Sequence, residues 1–191
     1  MPKIAIFASG AGTNAREIIN YLTQSQSSVR VELLITNNKN SGLVHIAKRE
    51  KIPCVIIDNS FHSNGVNTLT ILKQHAIQWV ILAGFLRKIP LELIRGFSNR
   101  IINLHPSLLP KYGGKGMYGK HVHEAVLLNN EIESGITIHI VNEEYDQGAI
   151  LFQAKCKIES GETITSLALK IQKLEHQYYP IIIEKQILNA K

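Results

Sequence analysis

The chain alternates between short, fully apolar runs and longer segments in which apolar side chains recur every three or four residues. The first pattern is typical of strands buried on both faces of a sheet, and the second of helices that cover those faces. Predicted strands lie at 3–8, 31–37, 54–58, 79–83 and 101–105, and predicted helices at 14–23, 43–50, 67–75 and 121–129. This order predicts an α/β, Rossmann-like fold with a mostly parallel, twisted sheet flanked by helices.

The last third of the chain follows a different pattern. Two strand-like runs, 135–142 and 149–158, are separated only by a short acidic segment, which predicts an antiparallel pair of strands. A long final helix is predicted over 163–188, with Leu167 and Leu169 directed towards the sheet. The fold is therefore expected to be a single domain that ends in an antiparallel strand pair and a helix.

Composition narrows the class of protein. The 191 residues are 45% hydrophobic and 19% charged, which is enough for one domain with a substantial core. The net charge of +6 favours anionic partners, but the basic residues are scattered and no apolar run is long enough to cross a bilayer. We expect a cytoplasmic monomer or homodimer that acts on small molecules, without binding nucleic acid or membrane.

A glycine-rich loop follows the first predicted strand. Residues 10–15 carry the spacing Gly-x-Gly-x-x-Ala of dinucleotide-binding loops, yet Asn37 stands where such sites have an acidic residue for the ribose. We therefore favour a single phosphate bound by Gly12, Thr13 and Asn14 at the start of the helix. A turn with no ligand is the alternative interpretation.

A second cluster of polar residues follows the fifth predicted strand. Asn103 and His105 lie on one face of this strand, on the same side of the sheet as the glycine-rich loop. An amide donor beside an imidazole can stabilise an oxyanion while a proton is moved. If Asp146 of the acidic turn reached His105, it would raise the pKa of the imidazole and orient it. His139 is either a structural or a catalytic residue.

Four segments resemble one known family. They read SGAGTN at 9–14, LAGFLR at 82–87, NLHPSLLP at 103–110 and YDQG at 145–148, in the order and spacing of the folate-dependent phosphoribosylglycinamide formyltransferases. The resemblance covers essentially the whole chain. The third segment is common to all 10-formyltetrahydrofolate formyltransferases, so it identifies the superfamily more strongly than the substrate.

The resemblance implies a reaction. The formyl group of 10-formyltetrahydrofolate, a co-substrate, would pass to the amine of 5'-phosphoribosylglycinamide in de novo purine (IMP) biosynthesis, with tetrahydrofolate as the second product and no metal involved. It implies catalytic roles for Asn103, His105 and Asp146. The implied contacts to phosphoribosylglycinamide are Gly12, Thr13, Asn14, Gln172 and Glu175. The implied folate contacts are Leu86, Arg87, Lys88, Ile89, Asn103, Val141, Asn142 and Asp146.

The resemblance also implies that the chain has two functional halves, and the chain differs from better-known relatives at two places. Residues 1–100 would form a nucleotide- or phosphate-binding half, and residues 101–191 a catalytic and folate-binding half. Many relatives carry a folate-contacting arginine where this chain has Asn64. The glycine-rich loop 111–119 is longer than its counterpart in better-known relatives, and we expect it to be mobile and to close over the substrate.

Two other functions remain open at this point. The chain could be another enzyme that uses 10-formyltetrahydrofolate, either a deformylase or a formyltransferase acting on a sugar amine. It could also be a non-catalytic module that binds nucleotides or RNA, which only the net charge favours.

Overall fold

Seven strands form one sheet in this computed structural model, which describes residues 1–57 and 65–190. The spatial order is β3-β2-β1-β4-β5-β6-β7. The first five strands pair in parallel, whereas β6 is antiparallel to both β5 and β7. The strands are β1 Lys3–Phe7, β2 Arg30–Thr36, β3 Cys54–Ile56, β4 Trp79–Leu82, β5 Ile101–His105, β6 Glu133–Ile140 and β7 Ile150–Lys157. The predicted fold class is confirmed.

Helices connect the strands and cover both faces of the sheet. They are α1 Thr13–Gln24, α2 Gly42–Glu50, α3 Gly65–Gln74, α4 Leu91–Gly96, α5 Lys120–Leu128 and α6 Ile164–Asn189. The prediction missed α4, because a helix this short shows too little periodicity to be recognised. Asp58, at the end of the predicted third strand, and Asn64 lie outside the residues that the structure describes.

The two faces of the sheet bury different side chains of the same strands. Along β1, Ile4 and Ile6 pack in the cluster formed with α1, α2, α5 and α6. Ala5 and Phe7 point to the opposite face and pack in the cluster formed with α3 and α4. This alternation explains why the strands are apolar throughout.

Helix α6 packs against the sheet along its length. Leu167 and Ile171 are buried, whereas Leu169 is 56% exposed, so the prediction that Leu169 faces the sheet was wrong. Residues four apart share a face of a helix, and a residue midway between them points away. The Tyr179 hydroxyl is fully buried and lies 2.8 Å from the Leu82 carbonyl oxygen, which fixes the helix to β4.

The loops after β1, β4 and β5 lie together at the carboxyl edge of the parallel strands. The Ser9 amide donates to the Gly84 carbonyl at 3.1 Å, and this contact joins the first two loops. No helix in 1–57 or 65–190 is long and apolar enough to cross a membrane. The division of the chain at residue 100 stays a prediction.

Candidate active site

Asp146 lies between two buried histidines. Its Oδ2 is 3.5 Å from His105 Nδ1, and its Oδ1 is 3.6 Å from His139 Nε2. The Gly114 amide donates to Oδ2 at 2.9 Å. The acidic connection between β6 and β7 therefore brings its carboxylate to the end of β5, a contact that the sequence alone left open. Gly148 permits this path, because a Cβ there would lie 1.6 Å from the Ile140 carbonyl oxygen.

The hydrogen bonds of His105 determine which ring nitrogen carries a proton. Nε2 lies 2.7 Å from the carbonyl oxygen of Tyr112, which can only accept, so Nε2 is protonated and donates. In the neutral ring Nδ1 carries no proton, and it faces Asp146 at a separation longer than a charge-assisted hydrogen bond. The ring is thus oriented by backbone on one side and by a carboxylate on the other.

Burial decides the charge of His105 in the free protein. It lowers the pKa of His105, which is only 3% exposed, and outweighs the opposing effects of Asp146 and the Tyr112 carbonyl. We expected Asp146 to hold His105 protonated, but the net direction is the reverse. Burial also acts to raise the pKa of Asp146, yet its contacts with the two histidines and with the Gly114 amide lower it overall. A neutral imidazole beside an ionised carboxylate is the resting arrangement.

Asn103 is held by His139. His139 Nδ1 lies 3.0 Å from the Ile140 carbonyl oxygen and must donate to it, so Nε2 of a neutral ring accepts from the Asn103 amide at 3.1 Å. This leaves the second amide proton of Asn103 for a ligand. His139 pairs with Asn103 across β5 and β6, and its contacts favour the structural alternative for this residue.

A cleft of about 360 Å³ opens beside this cluster, a volume typical of small-molecule sites. Asn103, His105 and Asp146 line it. The other predicted folate contacts also line it: Leu86, Arg87, Lys88, Ile89, Val141 and Asn142. The Lys88 ammonium sits 5.0 Å from the centre of the Tyr145 ring, so a cation–π contact borders the cleft.

Helices α1 and α6 form another part of the cleft wall, which we call its polar end. Asn14, Gln172 and Glu175 line it, whereas Gly12 and Thr13 are not among its lining residues and lie just before Asn14. The side-chain amide of Asn14 donates to Glu175 Oε2 at 2.8 Å. Burial raises the pKa of Glu175, and the Asn14 hydrogen bond partly opposes this. Five predicted contacts for phosphoribosylglycinamide are thus split between the cleft wall and the loop beside it.

The glycine-rich loop at residues 10–15 leads into α1 in a conformation that can bind an anion. Gly12 caps α1 with a φ of 74°, and no side chain caps the helix. The positive φ favours glycine here, and a Cβ would also lie 2.9 Å from Ile46 Cδ1 and 3.3 Å from the Leu43 backbone nitrogen. The Ser9 hydroxyl donates to Asn37 Oδ1 at 2.6 Å, which gives Asn37 a structural role in place of a ribose contact.

The segment after β5 is fixed by a buried hydroxyl that the sequence did not reveal. Thr137 Oγ1 donates to the Ser107 carbonyl at 2.6 Å and accepts from the Leu109 amide at 3.0 Å. It also accepts from Gln153 Nε2 at 2.9 Å. Strands β6 and β7 therefore hold the backbone that follows His105 in one position.

His123 is a cleft residue that sequence reasoning did not assign. It is 6% exposed, and its Nδ1 is buried without a hydrogen-bond partner in the described part of the chain. Burial lowers its pKa, and the nearby His105 adds to this effect. The apolar face of α5, which carries Val122 and Val126, is the sequence signal that could have placed His123 inward. His121 instead faces solvent beside Glu124.

Within residues 1–57 and 65–190, no group of three or more His, Cys, Asp or Glu side chains is arranged so that it could hold a metal ion. A family model described as "Formyl transferase" matches residues 2–183. The chain belongs to the formyl transferase family. The resemblance seen in the sequence is confirmed, and membership implies a folate-derived formyl donor.

This formyl transferase is similar to two named relatives. It is 32% identical over 192 residues to the phosphoribosylglycinamide formyltransferase of Bacillus subtilis, covering 98% of this chain and 95% of the relative. It is 39% identical over 186 residues to the chloroplastic phosphoribosylglycinamide formyltransferase of Arabidopsis thaliana, covering 95% of this chain and 64% of the relative. The chain thus spans somewhat less than two thirds of that plant protein's length.

The fold agrees with solved structures of the same kind. The phosphoribosylglycinamide formyltransferase of Bacillus halodurans superposes with a TM-score of 0.91 at 35% identity, over 99% of this chain and 97% of that one. The glycinamide ribonucleotide transformylase 1 of Geobacillus kaustophilus superposes with a TM-score of 0.89 at 31% identity, over 97% and 98%. Coverage this complete leaves the whole architecture in common.

Proposed function

We propose that this formyl transferase moves the formyl group of 10-formyltetrahydrofolate to the amine of 5'-phosphoribosylglycinamide. The products are 5'-phosphoribosyl-N-formylglycinamide and tetrahydrofolate, as in de novo purine biosynthesis. The names of its relatives support this substrate pair. The observation that carries the proposal is one cleft that joins a polar end at Asn14 and Glu175 to the His105–Asp146 cluster.

The two substrates fit the two ends of the cleft. The phosphate of the ribonucleotide would bind the start of α1 at Gly12, Thr13 and Asn14, where the helix dipole favours an anion. Gln172 and Glu175 would contact its ribose and amide groups. The folate would lie along Leu86–Ile89 and the connection after β6, with its carboxylates near Arg87 and Lys88.

The chemistry follows from the position of the cluster. The glycinamide amine attacks the formyl carbon, forms the new C–N bond and gives a tetrahedral oxyanion. The free amide proton of Asn103 would donate to this oxygen, and His105 Nδ1 would face it. The proton that the amine loses would pass to His105 Nδ1 as charge develops on the oxygen, so an imidazole that is neutral at rest would be cationic in the intermediate and would give this proton up to N10 on collapse.

Collapse of the intermediate breaks the bond between the formyl carbon and N10. The amine loses one proton and N10 gains one, so the step balances without a covalent enzyme intermediate. Asp146 is ionised and lies within 3.6 Å of both histidines, which suits it to help transfer that proton through a water molecule. Asn103 and His139 remain hydrogen-bonded and hold the oxyanion site in shape.

The test follows the absorbance change on deformylation of 10-formyltetrahydrofolate in three parallel reactions. One contains phosphoribosylglycinamide, one a sugar amine, and one neither acceptor. We expect turnover only with phosphoribosylglycinamide, and formation of the N-formyl product by mass. Turnover with water alone would instead identify a deformylase, and turnover with the sugar amine a sugar formyltransferase.

Binding is measured on the same preparation. Salt-sensitive RNA binding without any turnover would favour a non-catalytic module and contradict the proposal. Sedimentation of the protein at the assay concentration distinguishes a monomer from a homodimer, which is the expected range of assembly.

A further inference from the structure

The start of the glycine-rich loop 111–119 holds both members of the proposed catalytic pair by backbone atoms. The Tyr112 carbonyl accepts from His105 Nε2 at 2.7 Å, and the Gly114 amide donates to Asp146 Oδ2 at 2.9 Å. Tyr112 has a φ of 58°, a left-handed conformation that residues with a side chain seldom adopt. These two contacts order this part of the loop, and the left-handed backbone at Tyr112 needs a further contact to stabilise it.

Glu131 supplies that hold from outside the cleft. It follows α5 and precedes β6, and its Oε1 accepts from the Tyr112 hydroxyl at 2.9 Å and from Lys111 Nζ at 2.8 Å. The Lys111 hydrogen bond, followed by that of Tyr112, lowers the pKa of Glu131 and keeps it ionised. Glu131 is partly buried and is not among the cleft-lining residues.

We propose that Glu131 is a positioning residue, which anchors Tyr112 so that the Tyr112 carbonyl fixes the ring of His105. With Nε2 committed to this carbonyl, Nδ1 must face Asp146 and the cleft. Losing the anchor releases the left-handed backbone, and His105 can then rotate or exchange its proton between nitrogens. The inference rests on the proposed function only in that His105 is the reacting group.

The surroundings of His105 set the direction of the expected titration change. Asp146 faces Nδ1 from the β6–β7 connection, His139 adjoins it from β6 and His123 from α5. Asp146 and the Tyr112 carbonyl raise the pKa of His105, whereas burial and His139 lower it. Because the carbonyl contact is lost without the anchor, the pKa of His105 should fall further in Glu131→Ala.

The experiment compares Glu131→Ala, Tyr112→Phe, their double variant and Glu131→Gln. Misplacement of a reacting group by about 1 Å can lower the rate up to about 100-fold, so we expect kcat to fall on the order of tenfold to 100-fold with little change in KM. The kcat of the double variant should be no lower than that of either single variant, because the two substitutions remove the same contact. Glu131→Gln keeps the acceptor oxygen and should restore most of kcat.

NMR of the ¹⁵N-labelled full chain gives a readout that does not depend on turnover. We expect His105 in Glu131→Ala and Tyr112→Phe to titrate at lower pH than in the native chain. Glu133→Ala is the matched control, since Glu133 is an exposed carboxylate on Lys155 at 2.7 Å, and it should leave both kcat and the titration unchanged. If Glu131→Ala does not fold, Tyr112→Phe alone carries the test.

Native titration of His105 together with native kcat in Glu131→Ala would overturn the proposal. So would a loss of activity that Glu131→Gln does not restore, accompanied by a lower melting temperature and an unchanged His105. If the native protein does not turn over phosphoribosylglycinamide but His105 still shifts, the positioning role stands and the proposed function fails.

Discussion

The two ends of the cleft are built in opposite ways. At one end, His105 and Asp146 are hydrogen-bonded to backbone atoms and Asn103 to His139, and His105 is 3% exposed. At the other end, Gly10 and Ala11 are exposed and α1 begins with no side-chain cap. One end holds few, fixed groups, and the other leaves the start of a helix open to an anion.

This difference separates two tasks of a transferase. Groups that meet a transition state must be fixed before it forms, because reorganisation during the reaction raises the barrier. Contacts that bind a substrate phosphate equally well in the ground state and the transition state change KM and not kcat. Changes at the fixed end should therefore lower kcat, whereas changes at the open end should raise KM.

The largest effect is expected from removing the reacting groups. His105→Ala and Asp146→Ala should each lower kcat by about 100-fold to 1,000-fold, since each removes charge or hydrogen bonding from the transition state. Steady-state kinetics with phosphoribosylglycinamide measures this, and circular dichroism checks that the fold is intact. Near-native kcat in either variant would place the chemistry elsewhere in the cleft.

The next effect tests whether the fixed end depends on the strands beneath it. Thr137→Val removes a fully buried hydroxyl and leaves the Leu109 amide, the Ser107 carbonyl and Gln153 short of a partner. We expect the free energy of unfolding to fall by about 2 kcal/mol. Urea denaturation provides the measurement, with Thr70→Val at an exposed position of α3 as the control.

A smaller effect is expected at the open end. Gly12→Ala places a Cβ at a φ of 74° and 2.9 Å from Ile46 Cδ1, which displaces the start of α1. We expect the KM for phosphoribosylglycinamide to rise about tenfold while the KM for the folate stays constant, equivalent to roughly 1.4 kcal/mol of binding. A fall in kcat with both KM values unchanged would contradict the division between the two ends.

The smallest effect concerns pH. Burial lowers the pKa of His105 and His123, so below their usual pKa of about 6.5 the unfolded chain binds protons that the folded chain resists. The contribution of these two histidines to stability is therefore complete above this range and declines as the pH falls from 7 to 5. The lowered pKa of Asp146 acts only at more acid pH, near its unfolded value of about 3.9.

Removing one of these histidines should weaken the dependence. His123→Gln cannot take up a proton in this range, so its free energy of unfolding should decline less than that of the native chain between pH 7 and 5. Urea denaturation at each pH measures the slope, with exposed His121→Gln as the matched control on the same helix. Parallel slopes for His123→Gln and the native chain would show that His123 is not protonated on unfolding.

Much of the fold was readable because its signals are local. Apolar runs gave β1, β2, β4 and β5 to within one residue at each end, since a strand buried on both faces must be apolar throughout. The six-residue α4 and the outward position of Leu169 were missed, because short helices and single positions on a long helix depend on what packs against them.

The site was readable only in part. Period-2 geometry placed Asn103 and His105 on one face, and the family resemblance supplied Asp146, Gln172 and Glu175. Neither the strand geometry nor the resemblance revealed the anchor at Glu131 or the buried Thr137 hydroxyl, because these act through backbone atoms of segments distant in sequence. No spacing rule connects a residue after α5 to the carbonyl that orients His105.

The sequence by itself determined the strand–helix alternation, the glycine-rich helix start and the residue types that can transfer a formyl group. These are set by neighbours along the chain, where periodicity, backbone freedom and functional groups are visible. Only the tertiary structure decided that His105 is neutral at rest, because its charge depends on burial and on contacts with Asp146, Tyr112 and His139 from other segments. A pKa is a property of a surrounding volume, and that volume exists only after folding.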